Sequence, residues 1–275
     1  MYYQRQHVKG TIVDFASSKV SSGFRECAVY NSKTRSVQRY FGESGSRHPI
    51  SFGTADDLEK AVGAGASAFY CSFWYYDGAD FSKPVGRDLA WTVRANIGGI
   101  EFVKLVTAKI VKALEEAGVS EPWVKYSGDL GFDIVVPLES IPWEAWWGDP
   151  ASLNELQGEI TDFITDCVRE PQLGGFSVER GKSIKIKKAE KICLLSELRV
   201  GRGLLLAPMS LNPETRMVSV PVDPDRVESF SVLDSSPERV GSSWWAPPTS
   251  VAYGLLKLAK PWQLAAMGAA TAAQA

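Results

Sequence analysis

An α+β fold, a mixed sheet flanked by helices, is predicted by the order of elements in the middle of the chain and by the patterns within them. Gly86 to Asn96 alternates as a strand. Ile100 to Ala117 carries Val103, Val106, Ile110, Val111 and Leu114 on one helical face, and Gly118 stops it. Tyr126 to Leu138 then folds as a strand, a Gly-containing turn and a second strand. Strand, helix, strand, strand is the order of a split βαβ, RRM-like core.

The remaining elements attach to this core in sequence. Tyr2 to Ser18 spaces Val8, Ile12, Val13 and Phe15 as a short amphipathic helix. Glu26–Tyr30 and Val37–Phe41 are β-prone runs joined through Asn31-Ser32-Lys33-Thr34, which predicts a hairpin. Ser51 to Ala64 has Thr54 as N-cap, followed by Asp56, Asp57 and Glu59, a helix start. Ala68 to Trp74 is apolar and aromatic, a buried strand. Leu153 to Arg169 predicts a second amphipathic helix, Ser183 to Lys188 a basic strand, and Leu204 to Val222 a loop leading into a hairpin strand. These elements group as one domain over residues 1–262, with an Ala-rich, frayed tail over 263–275. No internal repeat is present.

Composition narrows the function classes. The 275 residues are 45% hydrophobic and carry a formal net charge of -2, so the chain can bury a sizeable core and has no global electrostatic attraction to a polyanion. Cys27, Cys71, Cys167 and Cys193 form no C-x-x-C pair, and the two histidines, His7 and His48, complete no zinc knuckle. They read as reduced, buried thiols of a cytosolic protein. The start of the sequence lacks the apolar run of a signal peptide and no stretch reaches the length of a membrane span, so the expected location is cytoplasmic, with no membrane partner. His7 and His48 lie in no catalytic motif, and a G-x-x-x-x-G-K-[ST] phosphate loop is absent.

The motif with most content is Ser127-Gly128-Asp129-Leu130-Gly131-Phe132-Asp133. It resembles the SGxxGxH turn of the archaeo-eukaryotic primase family, with Asp133 where the family has the histidine that sits beside the incoming triphosphate. Tyr2-Tyr3-Gln4-Arg5, Gly63 to Ser72, Gly86 to Asn96, Lys125 to Leu138, Ile141-Pro142 and Ala207 to Pro224 extend the likeness over most of the chain, which resembles the small, catalytic-type subunit of archaeal DNA primase and its close relatives. Ala207-Pro208-Met209-Ser210-Leu211 resembles the family's RxPxSLH element. The resemblance implies a primase small-subunit fold and a DNA-directed primase or nucleotidyltransferase ancestry.

Family chemistry requires a D-x-D pair on one strand, whose alternation points both carboxylates to one face around divalent cations. Here those positions are Thr92 and Arg94, neither of which binds Mg²⁺ as a carboxylate does. The third family acid falls near Glu190 and Lys191. Leu206 stands for the arginine of the closing element and Asn212 for its histidine. Ser127, Gly128, Gly131, Ser210 and Asn212 remain as remnants of a nucleotide pocket. Scaffold positions match while chemical positions do not, so Thr92, Arg94 and Asp133 mark a degenerate centre with no catalytic residue, no metal and no cofactor. Because Thr92 and Arg94 share a face with Asp133, an Arg94–Asp133 ion pair is expected to fill it.

Other features carry two readings each. Asp77, Asp80 and Asp88 suit either substitute metal ligands or a solvated turn. Arg180, Lys182, Lys185, Lys187, Lys188 and Lys191 suit a nucleic-acid groove or a charged edge strand. Trp143, Trp146, Trp147 and Trp244-Trp245 suit base stacking or core and interface packing. Gly98-Gly99 and Gly174-Gly175 are turns. The expected function is a catalytically inactive primase-like protein that binds nucleic acid or a protein partner, such as a primase subunit or other replication or repair protein. The alternatives are a nucleotidyltransferase using Mg²⁺ or Mn²⁺ with NTP, whose ligands have moved to Asp77, Asp80, Asp133 or Glu190, and a protein that binds a nucleotide as an effector.

Overall fold

A computed structural model describes residues 2–17, 23–42, 47–78, 80–171, 175–241 and 249–259. In chain order these form α1 (Gln6–Ser17), β1 (Phe24–Asn31), β2 (Ser36–Gln38), β3 (Tyr40–Phe41), β4 (His48–Pro49), α2 (Ala55–Gly63), β5 (Ala66–Asp77), β6 (Lys83–Arg87) and β7 (Leu89–Ile97). There follow α3 (Gly99–Glu116), β8 (Trp123–Tyr126), β9 (Gly131–Val136), α4 (Pro150–Arg169), β10 (Ser177–Glu179), β11 (Ile184–Lys188), β12 (Lys191–Leu198), β13 (Leu204–Leu206) and β14 (Pro221–Val222). The α+β class stands as predicted. Among the described residues the strands pair antiparallel in a five-stranded sheet, β13-β5-β1-β2 with β6 on β5, and a seven-stranded sheet, β10-β11-β12-β7-β9-β8-β14.

The larger sheet is built from local rules. Alternation along β7 sends Leu89, Trp91 and Val93 to one face, where Phe102, Val103, Val106, Ile110 and Leu114 of α3 and Leu153, Leu156 and Ile160 of α4 bury against them. Each such side chain contributes about 1.5–3 kcal/mol on burial. Trp91 Nε1 donates to Thr161 Oγ1 of α4 at 2.8 Å, so the largest core ring keeps its polar atom satisfied. Asp149 caps α4 through Ala151 N at 2.9 Å, and Thr54 with Asp57 forms a capping box at the start of α2.

Ala90, Trp123 and Val135 point to the opposite face of the larger sheet, where they join a second core with α1, α2 and the five-stranded sheet. The junction between the two halves is charged. Arg25 of β1 meets Asp88 at 2.8 Å, both side chains essentially inaccessible, and its guanidinium lies 4.5 Å from the Phe15 ring and 4.4 Å from the Tyr75 ring.

Several expectations need correction in detail. Tyr40 and Phe41 do not continue the first hairpin but pair with His48–Pro49. Leu204 to Val222 is more than a loop leading into a hairpin strand: β13 joins β5 in the smaller sheet, β14 joins β8 in the larger, and Leu211 bridges Val218 between them. This segment ties the sheets together because its apolar residues, Leu205, Ala207, Met209 and Val220, fill the core between them. The four cysteines are free and buried. No helix among the described residues is long and apolar enough to cross a membrane. The Ala-rich tail, Trp244-Trp245 and Gly174 lie outside the described residues.

Candidate functional site

The hairpin β8–β9 and its neighbour β7 bring Thr92, Arg94 and Asp133 together. Ser127 N donates to Gly131 O at 3.0 Å, which closes the turn and sets Lys125 opposite Asp133. Asp133 in turn faces Thr92, and Thr92 faces Ser196 of β12, so Ser196, Thr92, Asp133 and Lys125 form one row across the sheet. Arg94 lies one step along, opposite Gly131 on one side and Leu194 on the other.

The expected pair is present and has a third member. Arg94 Nη2 donates to Asp133 Oδ1 at 2.6 Å, and Arg94 Nη1 donates to the Phe132 carbonyl at 2.7 Å. Lys125 Nζ donates to the other carboxylate oxygen, Asp133 Oδ2, and to Ser219 Oγ at 3.0 Å. The Lys125 and Asp133 side chains are buried, whereas the Arg94 side chain is 31% exposed. Asp129 adds a carboxylate 3.8 Å from Arg94 Nε.

Burial opposes ionisation of Asp133, but the charges and hydrogen bonds of Arg94 and Lys125 outweigh it and hold the carboxyl below its ordinary value. At Lys125 burial dominates and pushes the ammonium down, with Asp133 pulling the other way.

Lys125 escaped the sequence reading although the signal existed. A turn closed by Ser127 and Gly131 pairs residues whose numbers mirror about it, which makes Lys125 and Asp133 an opposite-charge cross-strand pair. Glu190, expected near the third acid, is an exposed residue of the β11–β12 turn; the β12 positions on this face are Leu194 and Ser196. Asp88 is not available as a ligand either: besides Arg25 it accepts from Leu138 N at 3.1 Å and Tyr75 OH at 3.3 Å. Asp80 accepts from Ser82 N at 3.2 Å, as the turn reading expects, whereas Asp77 ends strand β5 and lies 3.6 Å from Lys83.

A divalent cation, which primase chemistry would require, does not fit this donor set. Thr92 and Arg94 offer no carboxylate, and both oxygens of Asp133 are occupied by nitrogen donors. Among the described residues no group of three or more His, Cys, Asp or Glu side chains is placed to hold a metal.

The polar residues expected to line a nucleotide pocket, Ser127, Ser210 and Asn212, are engaged by the protein itself. Ser127 Oγ donates to Gly131 O at 2.9 Å, Ser210 Oγ accepts from Phe69 N at 2.8 Å, and Asn212 Oδ1 accepts from Glu214 N at 2.9 Å and Thr215 N at 3.2 Å. Gly128 has φ +81°, and a Cβ there would sit 2.8 Å from Asn212 Cβ and 3.0 Å from Met217 O. Gly128 is therefore explained by close packing, with no phosphate invoked.

The basic stretch divides. Lys185 and Lys187 lie on the same sheet face as Arg94, through the register Lys185, Leu194, Arg94. Lys187 is ion-paired with Glu179. Lys188 turns to the other side, over the Phe176 ring at 5.2 Å, and Arg180 pairs with Asp162 of α4; Lys182 sits in the exposed turn before β11. Of the tryptophans, Trp146 is core, while Trp143 and Trp147 are exposed.

Neither a protein-family model nor a curated protein sequence matches the chain. Among solved structures it is similar to the polymerase domain of ligase D from Mycobacterium tuberculosis in complex with DNA, with a TM-score of 0.54 over 94% of this chain and 87% of that chain, at 12% identity. The fold is primase-like. At that identity the likeness concerns architecture, and the primase-like fold leaves the chemistry to be argued from the residues that occupy it.

Proposed function

We propose that the chain is a non-catalytic protein built on the primase-like polymerase fold, acting by binding. The observation that carries this reading is the Arg94–Asp133–Lys125 cluster, two cations on one carboxylate, which fills the place where the family resemblance puts divalent cations and a triphosphate. Replacing metal ligands by a buried ion cluster removes the Lewis acid and the carboxylates that align a primer hydroxyl with a triphosphate. What the fold retains is its surface. Lys185 is exposed on the same sheet face as Lys187, which is paired with Glu179, and Arg94, which is paired with Asp133; this basic side of the face favours nucleic acid as the bound partner, and the structural neighbour is a complex with DNA. A replication or repair protein is the other partner class.

A nucleotide-incorporation assay on primed and unprimed templates, with NTP or dNTP and Mg²⁺ or Mn²⁺, tests the first half. The expected outcome is no product above a vector control. Metal-dependent incorporation that disappears in Asp133→Ala would overturn the reading and restore an enzyme with displaced ligands. For the second half, fluorescence anisotropy with single- and double-stranded DNA across a salt series is expected to show binding that weakens with salt and is reduced in a Lys185→Glu/Lys187→Glu variant. Binding unchanged in that variant would move the partner surface elsewhere.

A further inference from the structure

Away from the ion cluster, a cavity of about 550 Å³ opens beside the N-terminal residues, bounded by Tyr2, Tyr3, Val62, Ala66, Leu211 and Arg216. Its size falls within the range of small-molecule sites. The polar tips of both tyrosines are already engaged: Tyr2 OH donates to Met209 O at 2.9 Å, while Tyr3 OH donates to Ser67 O and accepts from Leu211 N, each at 2.9 Å. Ring surface is therefore what they offer, with the two rings edge to face at 5.1 Å and the Arg5 guanidinium 5.4 Å from the Tyr2 ring.

Two charged residues border the cavity, and they differ. Glu59 is neutralised by Lys9 of α1. Arg216 has no ion pair and no side-chain hydrogen bond among the described residues. Its backbone adopts φ +65°, a left-handed conformation that costs a non-glycine residue on the order of 1 kcal/mol. The turn holds it there: Asn212 Oδ1 caps Glu214 N and Thr215 N, Arg216 N donates to Asn212 O at 2.9 Å, and Thr215 Oγ1 anchors the loop to the Gly128 carbonyl. A turn fixed by these hydrogen bonds thus carries an exposed guanidinium to the edge of an apolar cavity.

We propose that this cavity binds a small monoanion with an apolar, ring-bearing body, whose carboxylate meets Arg216 and whose body packs against the Tyr2–Tyr3 ring pair, Val62 and Leu211. The site is independent of nucleic-acid binding at the sheet face.

Three probes of one shape test it on the full chain: indole-3-acetate, indole-3-acetamide and tryptamine, followed by amide chemical-shift titration. Indole-3-acetate is expected to bind about tenfold or more tightly than the amide, the worth of one charge-assisted hydrogen bond, and tryptamine not at all. The shifts should centre on Tyr3, Val62, Leu211 and Arg216. Arg216→Gln, a change on an exposed turn, should make acid and amide equal while the far-UV spectrum stays unchanged. Equal affinity for acid and amide in the unaltered protein, an acid preference that survives Arg216→Gln, shifts centred elsewhere, or no binding at millimolar concentration would each overturn the proposal.

Discussion

Arg94 reaches Asp133 diagonally, Nη2 to Oδ1 at 2.6 Å, by lying across Gly131, its direct cross-strand neighbour. A Cβ at Gly131 would come within 2.5 Å of Arg94 Cδ and would press on the Val93 carbonyl. The ion pair therefore depends on the absence of a side chain between its members. Lys125 approaches the same carboxylate from the other strand, so Asp133 holds together β7, β8 and β9.

Stability of the cluster should be asymmetric. Asp133→Asn leaves two cations facing a neutral amide, and is expected to lower unfolding free energy by about 3–5 kcal/mol, the usual cost of stranding a buried charge. Lys125→Met removes an ammonium that burial already disfavours and leaves Asp133 paired with Arg94, so its cost should be nearer 1–2 kcal/mol. Urea unfolding of both variants decides; equal losses would mean that Asp133 is not the centre of the arrangement.

The same carboxylate predicts a pH dependence. Its folded value lies below the unfolded one near 3.9, so the charged form stabilises the fold above that value and the contribution is lost as pH falls through the folded value. The stability gap between the unaltered protein and Asp133→Asn should accordingly be constant from about pH 5 to 7 and shrink below about pH 4. A gap that widens on acidification would show that the carboxyl is protonated in the fold.

Gly131→Ala should be far more damaging than its single methyl suggests. Either Arg94 is displaced from Asp133 or β7 and β9 part, and a loss of at least about 2 kcal/mol is expected. Thermal unfolding of Gly131→Ala beside Gly131→Ala/Arg94→Ala separates the causes: partial rescue in the double variant indicates a clash with Arg94, and none indicates a clash with the Val93 carbonyl.

Local pattern settled much of this molecule in advance. The apolar stripe of Ile100 to Ala117, the Thr54 capping signal and the alternation around Trp91 each depend on neighbours within one element, and each became the element expected. Alternation also placed Arg94 and Asp133 on a common face, because period two fixes facing once two strands are adjacent. The third partner, Lys125, was legible only through the mirror symmetry of its turn. What the tertiary structure alone decided involves partners distant in sequence: Arg25 claiming Asp88, Ser210 serving Phe69 N, Ser219 receiving Lys125, and Leu194 and Ser196 lying on the face where an acid was sought near Glu190. Those contacts arise when two sheets and a crossing loop pack against one another, and no spacing along the chain encodes which side chain a packed neighbour will present.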